Sequence, residues 1–152
     1  MKAIKILLVA VLVLLIAIQF MPSGMPENIP EDDHALANSG LADENVLTIL
    51  RTSCFDCHSN QTHFPWYARV APASLFLAGH IKEGREHMNF SEWENYSKRE
   101  KIGMLEEISD EVKAGEMPLK SYLVIHRDAI LDENKVKILT DWTNEATEKL
   151  LE

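Results

Sequence analysis

Cys54-Phe55-Asp56-Cys57-His58 is the stretch on which the reading of this chain turns. The spacing C-x-x-C-H is that of covalent c-type haem attachment, in which two thiols add across the vinyl groups as thioethers and the following histidine ligates the iron. A bare C-x-x-C also occurs in redox-active pairs, in half of a tetrahedral zinc site and in structural disulfides. A redox pair needs a βαβ setting and a zinc site needs two further ligands at a suitable spacing. Neither pattern surrounds these residues, which are the only two cysteines among 152 residues. The motif therefore predicts one covalently attached haem c, with Cys54 and Cys57 as its thioether positions and His58 on the iron.

The amino terminus points the same way. Lys2 and Lys5 precede an uninterrupted apolar run from Ile6 to Ile18, extended by Gln19, Phe20 and Met21, which is the pattern of an export signal. Haem attachment to bacterial cytochromes c takes place outside the cytoplasm, so compartment and motif agree. As a helix, residues 6–21 would span about 24 Å, against a hydrocarbon core of about 30 Å. The run is long for a signal peptide and short for a span. No A-x-A site follows it and no cysteine stands near its end for lipid attachment, which favours an uncleaved anchor over a cleaved signal. The expected location is the periplasmic side of the bacterial inner membrane, or the periplasm itself if the segment is removed.

Without Lys2 and Lys5, 13 of the 15 basic side chains stand against all 24 acidic ones. Such a balance speaks against nucleic acid, whose phosphates demand a basic face, and it suits either plain solubility or a basic redox partner. Residues 22–40 carry Pro22, Pro26, Pro30 and the run Glu31-Asp32-Asp33, and read as a flexible linker. The remaining residues, 41–152, fit one small domain without internal repeats.

That domain reads as all-α, a small cytochrome c-like helical domain packed around the haem and preceded by the N-terminal hydrophobic helix. Val46, Leu47, Leu50, Cys54 and Cys57 recur at helical spacing, which predicts a first helix over residues 43–57. Pro72 suits the first turn of a second helix to about Lys82, with Leu75, Phe76 and Ile81 as its buried residues and Gly84 as its stop. Ser91-Glu92-Trp93-Glu94 is a capping-box pattern, predicting a helix or a bent pair of helices from there to Ala114 that buries Ile102, Leu105, Ile108 and Val112 and ends at Gly115. A last helix is predicted over residues 133–150, with Val136, Leu139, Trp142, Ala146 and Leu150 as its apolar stripe. No segment alternates as a strand would.

Several further residues carry a resemblance. Ser59-Asn60-Gln61-Thr62 continues the C-x-x-C-H motif, followed by Pro65-Trp66-Tyr67, Gly79-His80, Gly84-Arg85, Met88-Asn89-Phe90-Ser91, Trp93, Met117-Pro118, Tyr122 and His126. In these the chain resembles the bacterial haem-binding domain family of small exported C-x-x-C-H proteins, over about residues 41–142. The resemblance implies covalent haem and a helical domain, and leaves the physiological role open.

The second axial position of the iron decides the class of chemistry. Met117 leads the candidates, because it sits in a loop before the last helix with Pro118 fixing the backbone after it, as in the methionine loop of small cytochromes c. His80 and His126 would instead give a bis-histidine site, and His63, His87, Met88 and Met104 read as surface or packing residues. Trp66 and Tyr67 suit a pocket wall or ordinary core packing, and Arg69 and Arg85 suit pairing with the propionates. With His58 and Met117 on the iron, the expected function is one-electron transfer by a monohaem cytochrome. The alternative is a haem-based gas or redox sensor, or a peroxidase-like enzyme, with an open or histidine-ligated distal site served by His80 and Arg85.

Overall fold

A computed structural model describes residues 1–152. The chain is all-helical, with seven α-helices joined by short 3₁₀ turns. α1 (Lys2–Ile18) is the apolar N-terminal segment, and none of its residues is buried. It is 17 residues long, and no helix of the chain is long and apolar enough to cross a membrane.

α2 (Glu44–Ser53) begins where Asp43 accepts a hydrogen bond from Val46 N at 2.8 Å, a side-chain cap on an otherwise unpaired donor. It buries Val46, Leu47, Ile49 and Leu50. The predicted helix over residues 43–57 is broken at Cys54, whose backbone (φ −128, ψ −39) is off the helical values, and α3 (Phe55–His58) resumes as a single turn. Phe55 anchors that turn by stacking on Phe90, with ring centroids 5.2 Å apart.

α4 (Ala73–His87) runs five residues beyond the expected end at Lys82. Gly84 does not stop it. The glycine lies buried inside the helix where α4 meets α3, and a Cβ there would stand 2.6 Å from the Cys57 carbonyl oxygen. Its role is close approach of two backbones. Ile81 is buried as expected, but Phe76 is 72% exposed, because the helix packs through Ser74, Ala78, Ile81 and Gly84.

The capping box falls six residues later than the sequence pattern suggested. Ser97 accepts from Glu100 N while the Glu100 carboxylate accepts from Ser97 N, opening α5 (Lys98–Ala114), which Gly115 closes at φ +67. Ser91 is occupied elsewhere: buried in the 3₁₀ turn Phe90–Asn95, it accepts a hydrogen bond from Asn60 N at 2.9 Å. After the short α6 (Lys120–Leu123), α7 (Glu133–Leu151) follows its Asp132 cap. α5 and α7 pack through Leu105, Ile108 and Val112 against Leu139, Trp142 and Ala146, within one core that also holds Leu36, Leu50 and Trp93.

Leu36 shows that residues 22–40 are not a free tether. It is fully buried, Asn28 exchanges hydrogen bonds with the Thr62 backbone, Ile29 N donates to Asn60 O, and Glu94 N donates to His34 O. The prolines and acids of this stretch keep it extended while isolated backbone and apolar groups fasten it to the domain.

Gly84→Ala should lower stability by about 1–3 kcal/mol, the usual cost of forcing extra volume into a packed contact. Gly79→Ala, where a Cβ meets nothing within 4 Å, should leave it unchanged or raise it by up to about 1 kcal/mol through helix propensity. Thermal denaturation of the two variants side by side checks the contrast.

Candidate functional site

The broken helix at Cys54 and the single turn of α3 turn the motif toward a cavity of about 680 Å³. Its walls include Cys54, Asp56, Cys57 and His58 from the motif, His80, Glu83, Gly84 and His87 from one face of α4, and Met117, Leu119 and Tyr122 from the segment after α5. A second, smaller hollow of about 200 Å³ adjoins it, sharing Cys54, His58 and Met117 and continuing along Phe90, Ile108, Val112 and Leu131. Titratable groups rim both spaces, and the smaller one also reaches the core side chains Met88, Phe90, Ile108 and Val112.

His58 is oriented from behind. Its Nδ1 lies 3.2 Å from Met88 O, and since a carbonyl only accepts, Nδ1 carries the proton and Nε2 keeps its lone pair. Burial pushes the imidazole below its ordinary pKa, partly opposed by this bond, so the ring is held neutral, the form that binds a metal. Met88 O is itself held in place by a network beyond it. Asn89 Nδ2 donates to Asn60 Oδ1 at 2.9 Å, Asn89 N donates to Tyr96 OH at 3.0 Å, and Asn60 N donates to Ser91 Oγ.

The two thiols are neutral in this setting. Burial pushes Cys54 up to about 12 and Cys57 up to about 11, Asp56 adding to the shift of Cys57 and Arg85 opposing it. A dithiol redox pair has the opposite bias, toward thiolate. No group of three or more His, Cys, Asp or Glu side chains gathers as a metal site.

Asp56, an unspecified position of the motif, does more than fill a space. Its backbone carbonyl accepts from Thr62 Oγ1, one carboxylate oxygen accepts from His63 N at 2.8 Å, and the other accepts from Tyr122 OH at 2.8 Å. Tyr122 stacks face to face on His126, centroids 4.1 Å apart, and His126 Nε2 lies 2.8 Å from Tyr67 OH. The loop carrying Met117 is thus latched to the attachment motif by Tyr122. Sequence reading noted Tyr122 without a role, because the bond to Asp56 joins residues 66 apart.

Of the residues singled out from sequence, Cys54, Cys57, His58, His80 and Met117 line the cavity and Trp66, Tyr67, Arg85 and His126 do not. Trp66 is 79% exposed. Tyr67 and His126 satisfy each other, away from the cavity walls. Arg85 points its guanidinium at Glu27 O, Asn28 Oδ1 and Thr62 Oγ1, so it fastens the N-terminal stretch to the domain. His87, read as a surface residue, lines both spaces and bonds to Glu107 at 2.8 Å.

The haem-binding domain family matches residues 13–145. This chain belongs to that family and binds haem. No curated protein and no solved structure matches it. The match reaches well ahead of residue 41, in keeping with the fastening of residues 27–36 to the domain. The residues fit the group: a neutral imidazole with an available Nε2 beside two thiols, a methionine thioether on the same cavity, and the buried Ser53 Oγ, which lines the cavity wall without any hydrogen-bond partner.

Tyr122→Phe should cost about 1.5–3 kcal/mol, the range for a hydrogen bond to a charged group, and should speed amide exchange over residues 117–123. Burial and the bond to Asp56 raise the Tyr122 pKa in the folded chain. The unfolded chain then releases that proton first, so this contribution is whole below the ordinary tyrosine value of about 10 and is lost as pH rises beyond it. Denaturant titrations at about pH 8 and about pH 10.5 should show a shallower alkaline loss in the variant.

Proposed function

We propose that this chain is an exported monohaem c-type cytochrome that carries single electrons, retained at the membrane by α1. The observation that carries the reading is the meeting of Cys54, Cys57, His58 and Met117 on one cavity. In this reading Cys54 and Cys57 would hold haem as thioethers, and His58 and Met117 would hold its iron. Haem held by these residues would supply a one-electron iron couple, and ligation by His58 and Met117 would give it a higher potential than ligation by two histidines.

The chain's own contribution is orientation and exclusion. Met88 O fixes the His58 tautomer and raises the basicity of the free nitrogen, as outer partners of metal-bound histidines do. The Tyr122–Asp56 latch restrains the Met117 loop, which limits how far a ligand from that loop would move between oxidation states. Phe90, Ile108 and Val112 give one wall of the adjoining hollow an apolar lining, and the polarity around a metal site shapes its redox potential.

His80 lines the same cavity, and this favours one second reading, a histidine-ligated or open distal site suited to a sensor or a peroxidase-like enzyme. Arg85, bonded to Glu27, Asn28 and Thr62, is not poised to assist such chemistry.

Haem should stay with the polypeptide through acid extraction and denaturing electrophoresis, and Cys57→Ser should leave at most one thioether and less mature protein. In the ferric protein a methionine–iron bond gives a weak charge-transfer band at the red edge of the visible spectrum. Met117→Ala should abolish that band and gain carbon monoxide binding on reduction. An unchanged spectrum in Met117→Ala, with high-spin iron in His80→Ala, would instead establish histidine ligation.

The acidic balance leads to a third expectation. A basic redox partner would be steered by charge, and beyond the Debye length of about 8 Å at physiological salt that steering is screened. The second-order rate with a basic acceptor should therefore fall as salt rises, measured by stopped-flow.

A further inference from the structure

Gln19, at the end of α1, is joined to the domain by a pair of hydrogen bonds. Its Nε2 donates to Ala71 O at 2.9 Å, and Ala71 N donates to its Oε1 at 3.0 Å. This amide clamp sets the exit of the apolar helix at the middle of an exposed apolar stretch. Trp66 is 79% exposed, Val70 44% and Phe76 72%, all within five residues of Ala71. The other two tryptophans, Trp93 and Trp142, are buried, so Trp66 is the one tryptophan presented outward.

Charge follows the same division. The chain has 24 acidic residues, yet none occurs from Cys57 to Lys82, where Arg69 and Lys82 are the charged residues. An aromatic-bearing segment without carboxylates of its own, beside the end of an apolar helix, has the composition of the membrane–water interface, where tryptophan rings settle at the level of the headgroups and carboxylates would meet phosphate-bearing lipid. α1 alone reaches about 26 Å at 1.5 Å per residue, short of a hydrocarbon core of about 30 Å. A short apolar segment is accommodated when flanking groups settle into the interface.

We propose that the turn around Ala71 is a membrane-interface collar: Trp66, Val70 and Phe76 sit in the headgroup zone of the bilayer that receives α1. The collar makes up the shortfall of the helix, and the Gln19 clamp couples helix and collar as one unit. The inference rests on membrane retention through α1, stated above, and adds the lipid-facing surface of the haem domain and the residues that form it.

The test uses the full-length holoprotein, reduced, with its three tryptophans replaced biosynthetically by 5-fluorotryptophan, in nanodiscs of phosphatidylethanolamine and phosphatidylglycerol. Trp66→Phe assigns the Trp66 fluorine line. A nitroxide carried at the lipid headgroup should broaden that line to loss, while a gadolinium chelate in the water should leave it visible. Trp93 and Trp142 serve as internal references that respond to neither. A Trp66 line lost to the aqueous chelate and untouched by the lipid nitroxide, in protein retained by the disc, would overturn the collar while leaving the anchor standing. Protein that elutes apart from the discs would overturn both. Gln19→Ala should keep the protein in the disc and weaken the lipid broadening at Trp66, since only the clamp is removed.

Discussion

The hydrogen bond from His58 Nδ1 to Met88 O, 3.2 Å long, is the constraint around which the rest of the domain is arranged. An imidazole has two similar nitrogens, and only a fixed acceptor behind one of them presents the other to a metal in a defined tautomer. Met88 O can serve because α4 ends there and the chain turns into the Phe90–Asn95 segment. That turn is pinned by Asn60, Asn89 and Ser91, which satisfy one another in the interior. Removing one member would leave buried polar groups unpaired, at a cost of about 1–3 kcal/mol each. The polar network is therefore part of the haem site although none of its side chains lines the cavity.

A second constraint is steric. α4 crosses the attachment motif so closely that Gly84 meets the Cys57 carbonyl, and this contact brings His80, Glu83 and His87 of the same helical face to the cavity. Position 84 thus sets the distance between the motif and the opposing wall. A larger residue there would push the α4 wall away from the two thiols. The same glycine in a sequence reads as a helix stop, because a chain pattern records flexibility and not proximity.

What the sequence made legible was whatever depends on local order. C-x-x-C-H, the apolar run ahead of it, the all-helical class and the last helix from Glu133 follow from short spacings, and the structure reproduces the helices they predict. The errors share one cause, a tertiary partner far along the chain. Ser91-x-x-Glu94 and Ser97-x-x-Glu100 are equivalent capping patterns on paper, and the first fails because Asn60 takes the Ser91 hydroxyl. Arg85 reads as a partner for an anionic ligand, and its bonds to Glu27 and Asn28, more than 50 residues away, leave no trace in the local sequence. Residues 22–40 read as a linker by composition, while Leu36 is fully buried. The latch between Asp56 and Tyr122 was invisible for the same reason, although both residues lay within motifs that the sequence displayed.

The long-range contacts also join into one line across the molecule. Asp56 accepts from Tyr122 OH, Tyr122 stacks on His126, His126 meets Tyr67 OH, and Tyr67 opens onto the turn that ends at Ala71 and its bonds to Gln19. Each step is a directional hydrogen bond or a stacked pair, so the orientation of the cavity relative to the end of α1 is set by geometry and not by a flexible linker.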